Sequence, residues 1–128
     1  MRYTDEEQQN LELIRGLYRD VLGPLDSAKV DDYIVEDYIQ HSPLAESGRE
    51  PLKAFLDFIQ GESPDAVHDL KRLFADGDMV ISHTHVIRFP GDVGLAVADF
   101  FRIENGKIAE HWDVIQEIAE PAHAAKMF

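Results

Sequence analysis

The 128-residue sequence has no cysteine and few basic residues. The absence of cysteine excludes disulfides, thiolate zinc sites and a cysteine nucleophile. Only 12 Lys and Arg residues accompany 25 Asp and Glu residues, which gives a formal net charge of −13. A surface with this excess of acid repels phosphate backbones and anionic lipid headgroups. We therefore expect neither nucleic acid nor a membrane as a partner.

Long apolar runs and common catalytic loops are also missing. The first eight residues lack the apolar stretch of a signal peptide, and no run approaches the ~20 residues that span a bilayer. There is neither a glycine-rich phosphate loop nor a Gly-x-Ser-x-Gly elbow. Hydrophobic residues make up 45% and charged residues 29% of the chain, an ordinary globular composition. We expect one cytoplasmic domain over residues 1–128, large enough to hold an internal pocket.

Three helices are predicted in the first half of the chain. Thr4 and Glu7 have the spacing of a capping box, and apolar residues then recur at helical period as far as Leu22. A second, shorter helix begins at positions 26–27 and runs towards Pro43. The third helix covers about residues 49–60, with a proline in its first turn.

The second half changes to the alternating pattern of strands. Strands are predicted over residues 67–74, 80–89, 95–104 and 107–118, and the tail after residue 120 has the composition of a short helix. Helices followed by a run of antiparallel strands indicate the α+β class. We expect the sheet to curve strongly around the three helices, as a cone-shaped barrel with a cavity inside.

Two registers are open for the last hairpin, which turns at Asn105-Gly106. A two-residue type I′ turn would pair Glu104 with Lys107 and set Asp113 opposite Ala98. Asp99 would then point to the other face. A three-residue loop with the glycine in a bulge would shift the pairing by one residue, and such a shift reverses the face of every side chain beyond it.

We favour the bulged register, which sets Asp99 opposite His111 and places Asp113 on the same face. Three titratable groups on a mostly apolar face are costly unless they serve a pocket. We therefore predict Asp113, His111 and Asp99 as catalytic residues, with Phe101 and Ile115 beside them in the substrate site. The alternative is an Asp99–His111 ion pair on a solvated face.

The opposite face of this hairpin combines apolar residues with Arg102, Glu110 and Gln116, and it includes Trp112. Such a mixture, anchored by a tryptophan, is typical of a protein interface. We expect a homodimer formed through this face.

His83 and His85 share one face of the preceding strand, which invites a metal hypothesis. Cupin-type metal sites have a glutamate ligand soon after such a pair, and residues 86–91 offer none. Asp99 or His111 would have to complete the site. We favour substrate-binding histidines and no metal.

The remaining histidines carry weaker signals. His41 follows an aromatic-rich segment and is predicted to bind substrate, with simple exposure as the alternative. His68 and His123 have no partner visible in the sequence and are expected at the surface.

Two segments together resemble the SnoaL-like branch of the nuclear-transport-factor-2-like superfamily: residues 38–43 with Gly48, and residues 99–116 with the run Gly106-Lys-Ile-x-Glu-His-Trp-Asp113. The resemblance implies a cone-shaped barrel with a deep apolar pocket, usually dimeric through the outer sheet face. The superfamily includes polyketide cyclases, isomerases, dehydratases, epoxide hydrolases and non-catalytic binders.

The same resemblance implies a role for Asp113, which matches the general acid/base of SnoaL-type cyclases. Those cyclases carry a pocket histidine where this chain has Asp99, so the match to their site is incomplete. The aldol closure that they catalyse uses no cofactor.

A carboxylate in an apolar pocket is a stronger base than in water. We therefore expect a cofactor-free enzyme acting on a small apolar carbonyl compound, of isomerase, lyase (dehydratase) or aldol cyclase type. His111 would donate to the developing enolate oxygen. The alternative is a non-catalytic, dimeric module that binds a small molecule in the same pocket.

Overall fold

The helical layer is formed by the first half of the chain. In the computed structural model, which describes residues 2–128, the helices are α1 (Asp5–Leu17), α2 (Val30–Tyr33), α3 (Arg49–Glu62) and, after the sheet, α4 (Pro121–Met127). The predicted capping box of α1 is confirmed. The Thr4 hydroxyl accepts a hydrogen bond from the Glu7 backbone at 3.1 Å, and the Thr4 backbone donates to Glu7 Oε1 at 2.9 Å.

A π-helical turn, Tyr18–Leu22, continues α1. The backbone N–H of Gly23 donates to the Tyr18 carbonyl at 2.8 Å, which closes this wider turn. Such turns change the direction of the side chains that follow a regular helix, and they occur often at functional sites. Here the turn begins at Tyr18, whose hydroxyl reaches the sheet.

Five strands form one curved, open sheet in the order β1-β5-β4-β3-β2. The strands are β1 (Ile34–Gln40), β2 (Val67–Asp76), β3 (Met79–Ile87), β4 (Leu95–Glu104) and β5 (Lys107–Glu117). Strands β2 to β5 are antiparallel neighbours, whereas β1 pairs with β5 in parallel. The α+β class, with helices packed on a curved sheet, is confirmed, although β1 precedes α3 in the chain. The sheet is mixed and unclosed, which the sequence did not indicate.

Strand β1 corrects the prediction that a second helix runs on towards Pro43. The helix ends at Tyr33, because Ile34 already has extended backbone angles of −128° and 135°. The chain then pairs with β5, and Gln40 lies beside His111. This contact joins residues about 70 positions apart, so local sequence patterns did not reveal it.

The register of the last hairpin is neither of the two that the sequence left open. The turn has two residues, Glu104 pairs with Lys107, and Ile103 pairs with Ile108. One extra residue, Ala109, then enters β5, so that beyond it Asp99 lies opposite Asp113. The prediction of Asp99 opposite His111, with the bulge at Gly106, is wrong.

The bulge nevertheless turns the side chains of β5 to the predicted faces of the sheet. Without Ala109, His111 and Asp113 would lie on the outer face and Trp112 on the inner one, because one residue of shift reverses a strand. With it, Phe101 pairs with His111. The inner face of the hairpin therefore carries both acids and the imidazole.

The inner face of the sheet packs against the helices. The most deeply buried apolar side chains come from both layers: Ile14, Val21, Val30, Val80 and Ile108, each with at most 1% of its surface exposed. Full burial of one such side chain contributes about 1.5–3 kcal/mol. Among the described residues, no helix has the length and apolar character needed to cross a membrane.

Candidate active site

A cavity of about 480 Å³ lies between the helices and the concave face of the sheet. Most of its wall is apolar, with leucine, isoleucine, valine and phenylalanine side chains from both layers. A cavity of this size suits a small organic molecule. Its polar lining residues are Tyr18, Tyr38, Gln40, Ser42, Ser63, His68, Arg88, Asp99, His111 and Asp113.

The three residues predicted as catalytic meet on this wall. Asp99 Oδ1 lies 2.8 Å from His111 Nε2, and the two side chains are only 14% and 11% exposed. One ligand atom from each of Asp99, His111 and Asp113 lies within 4.8 Å of the others. Strands β4 and β5 therefore bring two carboxyl groups and one imidazole into a partly buried cluster.

The orientation of the Gln40 amide fixes the hydrogen positions in this cluster. The backbone N–H of Ser42 donates to Gln40 Oε1 at 3.0 Å, so this atom must be the amide oxygen. His111 Nδ1 lies 2.7 Å from the same oxygen and therefore carries a proton. His111 Nε2 faces a carboxyl oxygen, so one further proton lies between His111 and Asp99.

This arrangement gives a chain of hydrogen bonds in which each residue donates to the next. His111 donates to Gln40 Oε1, and Gln40 Nε2 donates to the Tyr38 hydroxyl oxygen at 2.7 Å. The hydroxyl proton of Tyr38 has no acceptor among residues 2–128 and is free for a ligand in the cavity. Burial, followed by the charges of Asp99 and Asp113, raises the pKa of Tyr38, so this hydroxyl is a donor at neutral pH.

Hydroxyl groups hold the other carboxyl oxygen of Asp99. Tyr18 donates to Asp99 Oδ2 at 3.0 Å, and it lies 2.8 Å from Ser82 Oγ and 3.1 Å from Thr84 Oγ1. Burial and the nearby Asp99 charge raise the pKa of Tyr18. Because these groups are buried and mutually bonded, Asp99 is fixed in place and satisfied at both oxygens.

Asp113 differs from Asp99 in its surroundings. Its side chain lines the cavity, and no hydrogen bond to its carboxyl group occurs within residues 2–128. It lies opposite Asp99 across the two strands. Asp113 therefore has a free carboxyl group for a ligand, whereas Asp99 and His111 use their polar atoms on each other and on their neighbours.

His111 in this arrangement presents no free N–H to the cavity, because Asp99 and Gln40 contact its two nitrogens. The predicted direct donation from His111 to an enolate oxygen would require breaking one of these bonds. The hydroxyl proton of Tyr38, by contrast, could reach a ligand without any of these bonds being broken. His111 and Asp99 thus position Gln40 and Tyr38.

Among the described residues, Asp99, His111 and Asp113 form the cluster whose spacing is compatible with a metal ion. A cation bound to His111 Nε2 would have to displace the Asp99 contact of 2.8 Å. The suggested completion of a His83 and His85 site by Asp99 or His111 is wrong, since these two pairs lie on opposite faces of the sheet.

Phe101 and Ile115, predicted in the substrate site, line the cavity. His41 lies on the outer side, where its ring stacks on Trp112 at 4.7 Å and its Nε2 contacts Glu110 Oε2 at 2.6 Å. The ring of His41 is therefore occupied by neighbours outside the cavity wall.

His83 and His85 also lie on the outer face. The ring of Phe128 lies 5.1 Å from His83 and 4.6 Å from His85, and Arg72 bonds to His83. His85 Nε2 contacts the Val93 carbonyl at 2.7 Å. The C-terminal residue thus covers both histidines on the side away from the cavity.

His68 corrects the expectation of a surface position, because it lines the cavity. Burial lowers the pKa of His68, although the charge of Asp99 acts in the opposite direction. Its neighbours in the cavity lining include Val86, its pair on β3.

Tyr18, Tyr38, Gln40 and His68 were not predicted as functional residues. Tyr38 and Gln40 belong to the segment that carried the family resemblance, and this was the available signal. Tyr18 reaches the cavity because of a π-helical turn, and His68 because its side chain lies on the inner face of β2. Neither feature was visible in the sequence.

Comparison with known proteins agrees with this architecture. The family profile of the SnoaL-like domain matches residues 14–111. No curated protein is detectably similar in sequence.

Solved structures with the same fold include proposed polyketide cyclases. IdmH from Streptomyces antibioticus is 22% identical, with a TM-score of 0.70 over 84% of this chain and 92% of IdmH. A proposed cyclase from Acidithiobacillus ferrooxidans is 16% identical, with a TM-score of 0.74 over 100% of both chains. One from Bacillus cereus is 17% identical, with a TM-score of 0.76 over 89% of this chain and 79% of the other. At these low identities, the TM-scores show that the fold is shared.

The buried position of His68 predicts a pH-dependent loss of stability. Below its ordinary pKa of about 6.5 the unfolded His68 takes up a proton, while the folded residue stays neutral because burial lowers its pKa. The free energy of unfolding of the wild type should therefore decrease as the pH is lowered through this range. The His68→Gln variant lacks this contribution.

Urea unfolding of both proteins between about pH 8 and pH 5 measures the effect. Relative to the variant, the wild type should lose stability towards the acid end, and the values at pH 8 give the baseline. A stability difference that stays constant across this range would contradict the buried, neutral state of His68.

Proposed function

This chain belongs to the SnoaL-like family, and we propose that it is a cofactor-free enzyme whose substrate is a small, largely apolar carbonyl compound. In this proposal Asp113 is the general base, and the Tyr38 hydroxyl binds the carbonyl oxygen. The proposal rests on one observation above the others. The Asp113 carboxyl group, which has no hydrogen bond within residues 2–128, and the Tyr38 hydroxyl, which is positioned by the Gln40 amide and keeps its proton free, line the same apolar cavity.

The first step is removal of a proton from the carbon next to the carbonyl group. The Asp113 carboxylate takes the proton, the C–H electrons form a carbon–carbon double bond, and the carbonyl π electrons move to oxygen. The Tyr38 hydroxyl donates a hydrogen bond to this developing negative charge. Such a donor in a water-poor site stabilises the transition state more than it stabilises the neutral ketone.

Three outcomes are open to the enolate. It accepts a proton at another carbon in an isomerisation, or it expels a β-hydroxyl group as water in a dehydration. In an aldol cyclisation it attacks a second carbonyl carbon of the same molecule. In each case the proton held by Asp113 is returned to carbon, to the departing hydroxide or to the new alkoxide. One base is therefore sufficient for the whole class.

The charges around the cavity favour a neutral ligand. Asp99 and Asp113 lie on the wall, and the guanidinium of Arg88 is engaged by Asp92 at 2.8 and 3.0 Å. The chain as a whole carries a formal net charge of −13. An anionic substrate would meet repulsion and no free arginine on this wall.

Replacement of Asp113 by Asn tests the base. Exchange of the α-hydrogens of α-tetralone in D₂O, followed by NMR, reports proton removal without knowledge of the natural substrate. We expect the wild type to accelerate the exchange and Asp113→Asn to reduce it by about 10²–10⁴, because the amide cannot accept the proton. Calorimetric affinity for α-tetralone should change little.

Glu117→Gln is the matched control, since it makes the same change at an exposed position on the same strand. It should keep the wild-type exchange rate. If the wild type binds α-tetralone but its α-hydrogens exchange no faster than in buffer alone, the non-catalytic alternative is favoured. Full activity of Asp113→Asn would exclude Asp113 as the base.

Replacement of Tyr38 by Phe tests the oxyanion donor. We expect the exchange rate to fall by about 10², because one hydrogen bond to the developing charge is lost. Tyr33→Phe removes a hydroxyl that bonds to Asp20, and it should leave exchange unchanged. If Tyr38→Phe exchanges α-hydrogens at the wild-type rate, another group stabilises the enolate.

We also propose that the protein forms a homodimer through the outer face of β4 and β5. Phe100, Trp112 and Val114 lie together there, and Val114 is 63% exposed. The Arg102–Glu110 pair, at 2.9 Å, borders this apolar patch. An exposed apolar centre beside paired charges is the usual composition of an interface between subunits.

Val114→Glu should abolish this dimer, because association would bury an unpaired carboxylate. Sedimentation velocity should report a dimer for the wild type and a monomer for the variant, with similar thermal stability. Val67→Glu is the control at a valine of comparable exposure on β2. A monomeric wild type, or a dimeric Val114→Glu variant, would contradict the proposal.

A further inference from the structure

His68 Nδ1 is the one buried side-chain nitrogen or oxygen in residues 2–128 that has no hydrogen-bond partner. His68 Nε2 also has no hydrogen-bond partner among these residues, but it is not buried, and His68 forms part of the cavity wall. A buried polar atom without a partner is unfavourable, and proteins retain few of them. The position of His68 therefore calls for a functional reason.

The surroundings of His68 determine where its proton lies. Burial disfavours the imidazolium form, so the ring is neutral and carries one proton. A proton on Nδ1 would be a buried donor with no acceptor, whereas a proton on Nε2 lies on the accessible edge of the ring. The favoured tautomer thus presents an Nε2–H donor to the cavity.

We propose that His68 is a substrate-positioning residue whose Nε2–H donates a hydrogen bond to a second oxygen of the ligand, separate from the carbonyl oxygen at Tyr38. His68 lies on β2, whereas Tyr38 lies on β1, at the other edge of the sheet. A ligand that meets both residues therefore contacts both edge strands of the curved sheet. The identity of the Tyr38 contact rests on the proposed function, but the His68 contact does not.

This assignment narrows the substrate class. The ligand would be an apolar carbonyl compound that carries a further hydroxyl, ether or carbonyl oxygen. The rest of the cavity wall is mostly apolar and includes Leu95, Val97 and Phe101 from β4. Because the His68 ring is neutral, the second oxygen need not be charged.

Calorimetry with matched probes tests the proposal. The probes are α-tetralone, its 5-, 6- and 7-hydroxy derivatives and the corresponding methoxy derivatives, and the proteins are the wild type and His68→Leu. At least one oxygenated probe should gain about tenfold in affinity over α-tetralone in the wild type, and His68→Leu should lose this gain. The methoxy derivative at that position should retain the gain, because it can accept but not donate.

Two further variants keep the result interpretable. His68→Gln retains an amide donor and should restore part of the gain, and it serves if His68→Leu does not fold. His123→Leu makes the same change outside the cavity lining, on α4, and should behave as the wild type. The ¹⁵N NMR signals of the His68 ring should report a proton on Nε2.

Equal affinity ratios in the wild type and His68→Leu for every probe would overturn the proposal. A gain for hydroxy but not methoxy probes would overturn the donor assignment, since His68 would then accept. Hydrogen exchange separates this test from that of the proposed function. An inactive protein that shows the His68-dependent gain would retain the positioning role and lose the enzymatic one.

Discussion

One hydrogen bond, from the Ser42 backbone to Gln40 Oε1, determines the chemistry of the cavity. It fixes the amide orientation, because only the oxygen of that amide can accept. His111 must then donate from Nδ1, and Gln40 must donate to Tyr38. With the opposite amide orientation, the Tyr38 hydroxyl would have to donate to Gln40 and would not be free for a ligand. Ser42 itself is buried, with 7% of its surface exposed, which protects this bond from competition by water.

Two irregularities of the sheet bring together the residues of this hydrogen-bond chain. The extra residue Ala109 turns His111 and Asp113 to the concave face, and the parallel pairing of β1 with β5 sets Gln40 beside His111. A regular hairpin would have placed the imidazole on the outer face with Glu110 inside. A bulge that redirects a side chain next to a pocket is a recurrent feature of β-sheets. The site therefore depends on the backbone as much as on the residue types.

The sequence was sufficient for the fold class. It also led to the shared face of Asp99, His111 and Asp113, but through a strand register that is wrong. Capping, period and turn residues are local signals, and the capping box at Thr4 is present. The bulge was expected at Gly106 and lies at Ala109, since no sequence rule distinguishes alanine in a bulge from alanine in a regular strand. Strand β1 was missed because its partner is far along the chain, and its Glu36 and Asp37 break the apolar pattern of a strand. His68 was assigned to the surface because burial by the opposite layer is not a local property.

The two tyrosines and two aspartates of the cavity have different roles because their environments differ. Burial and nearby carboxylates raise the pKa values of Tyr18 and Tyr38, so neither tyrosine can act as a base near neutral pH. Asp99 accepts from Tyr18 and contacts His111, and the proton between Asp99 and His111 offsets one of two facing negative charges. Asp113 remains as the carboxyl group with neither a bound donor nor a shared proton. In the reaction that we propose, Asp113 therefore removes the proton, and Tyr38 stabilises the negative charge that this removal creates.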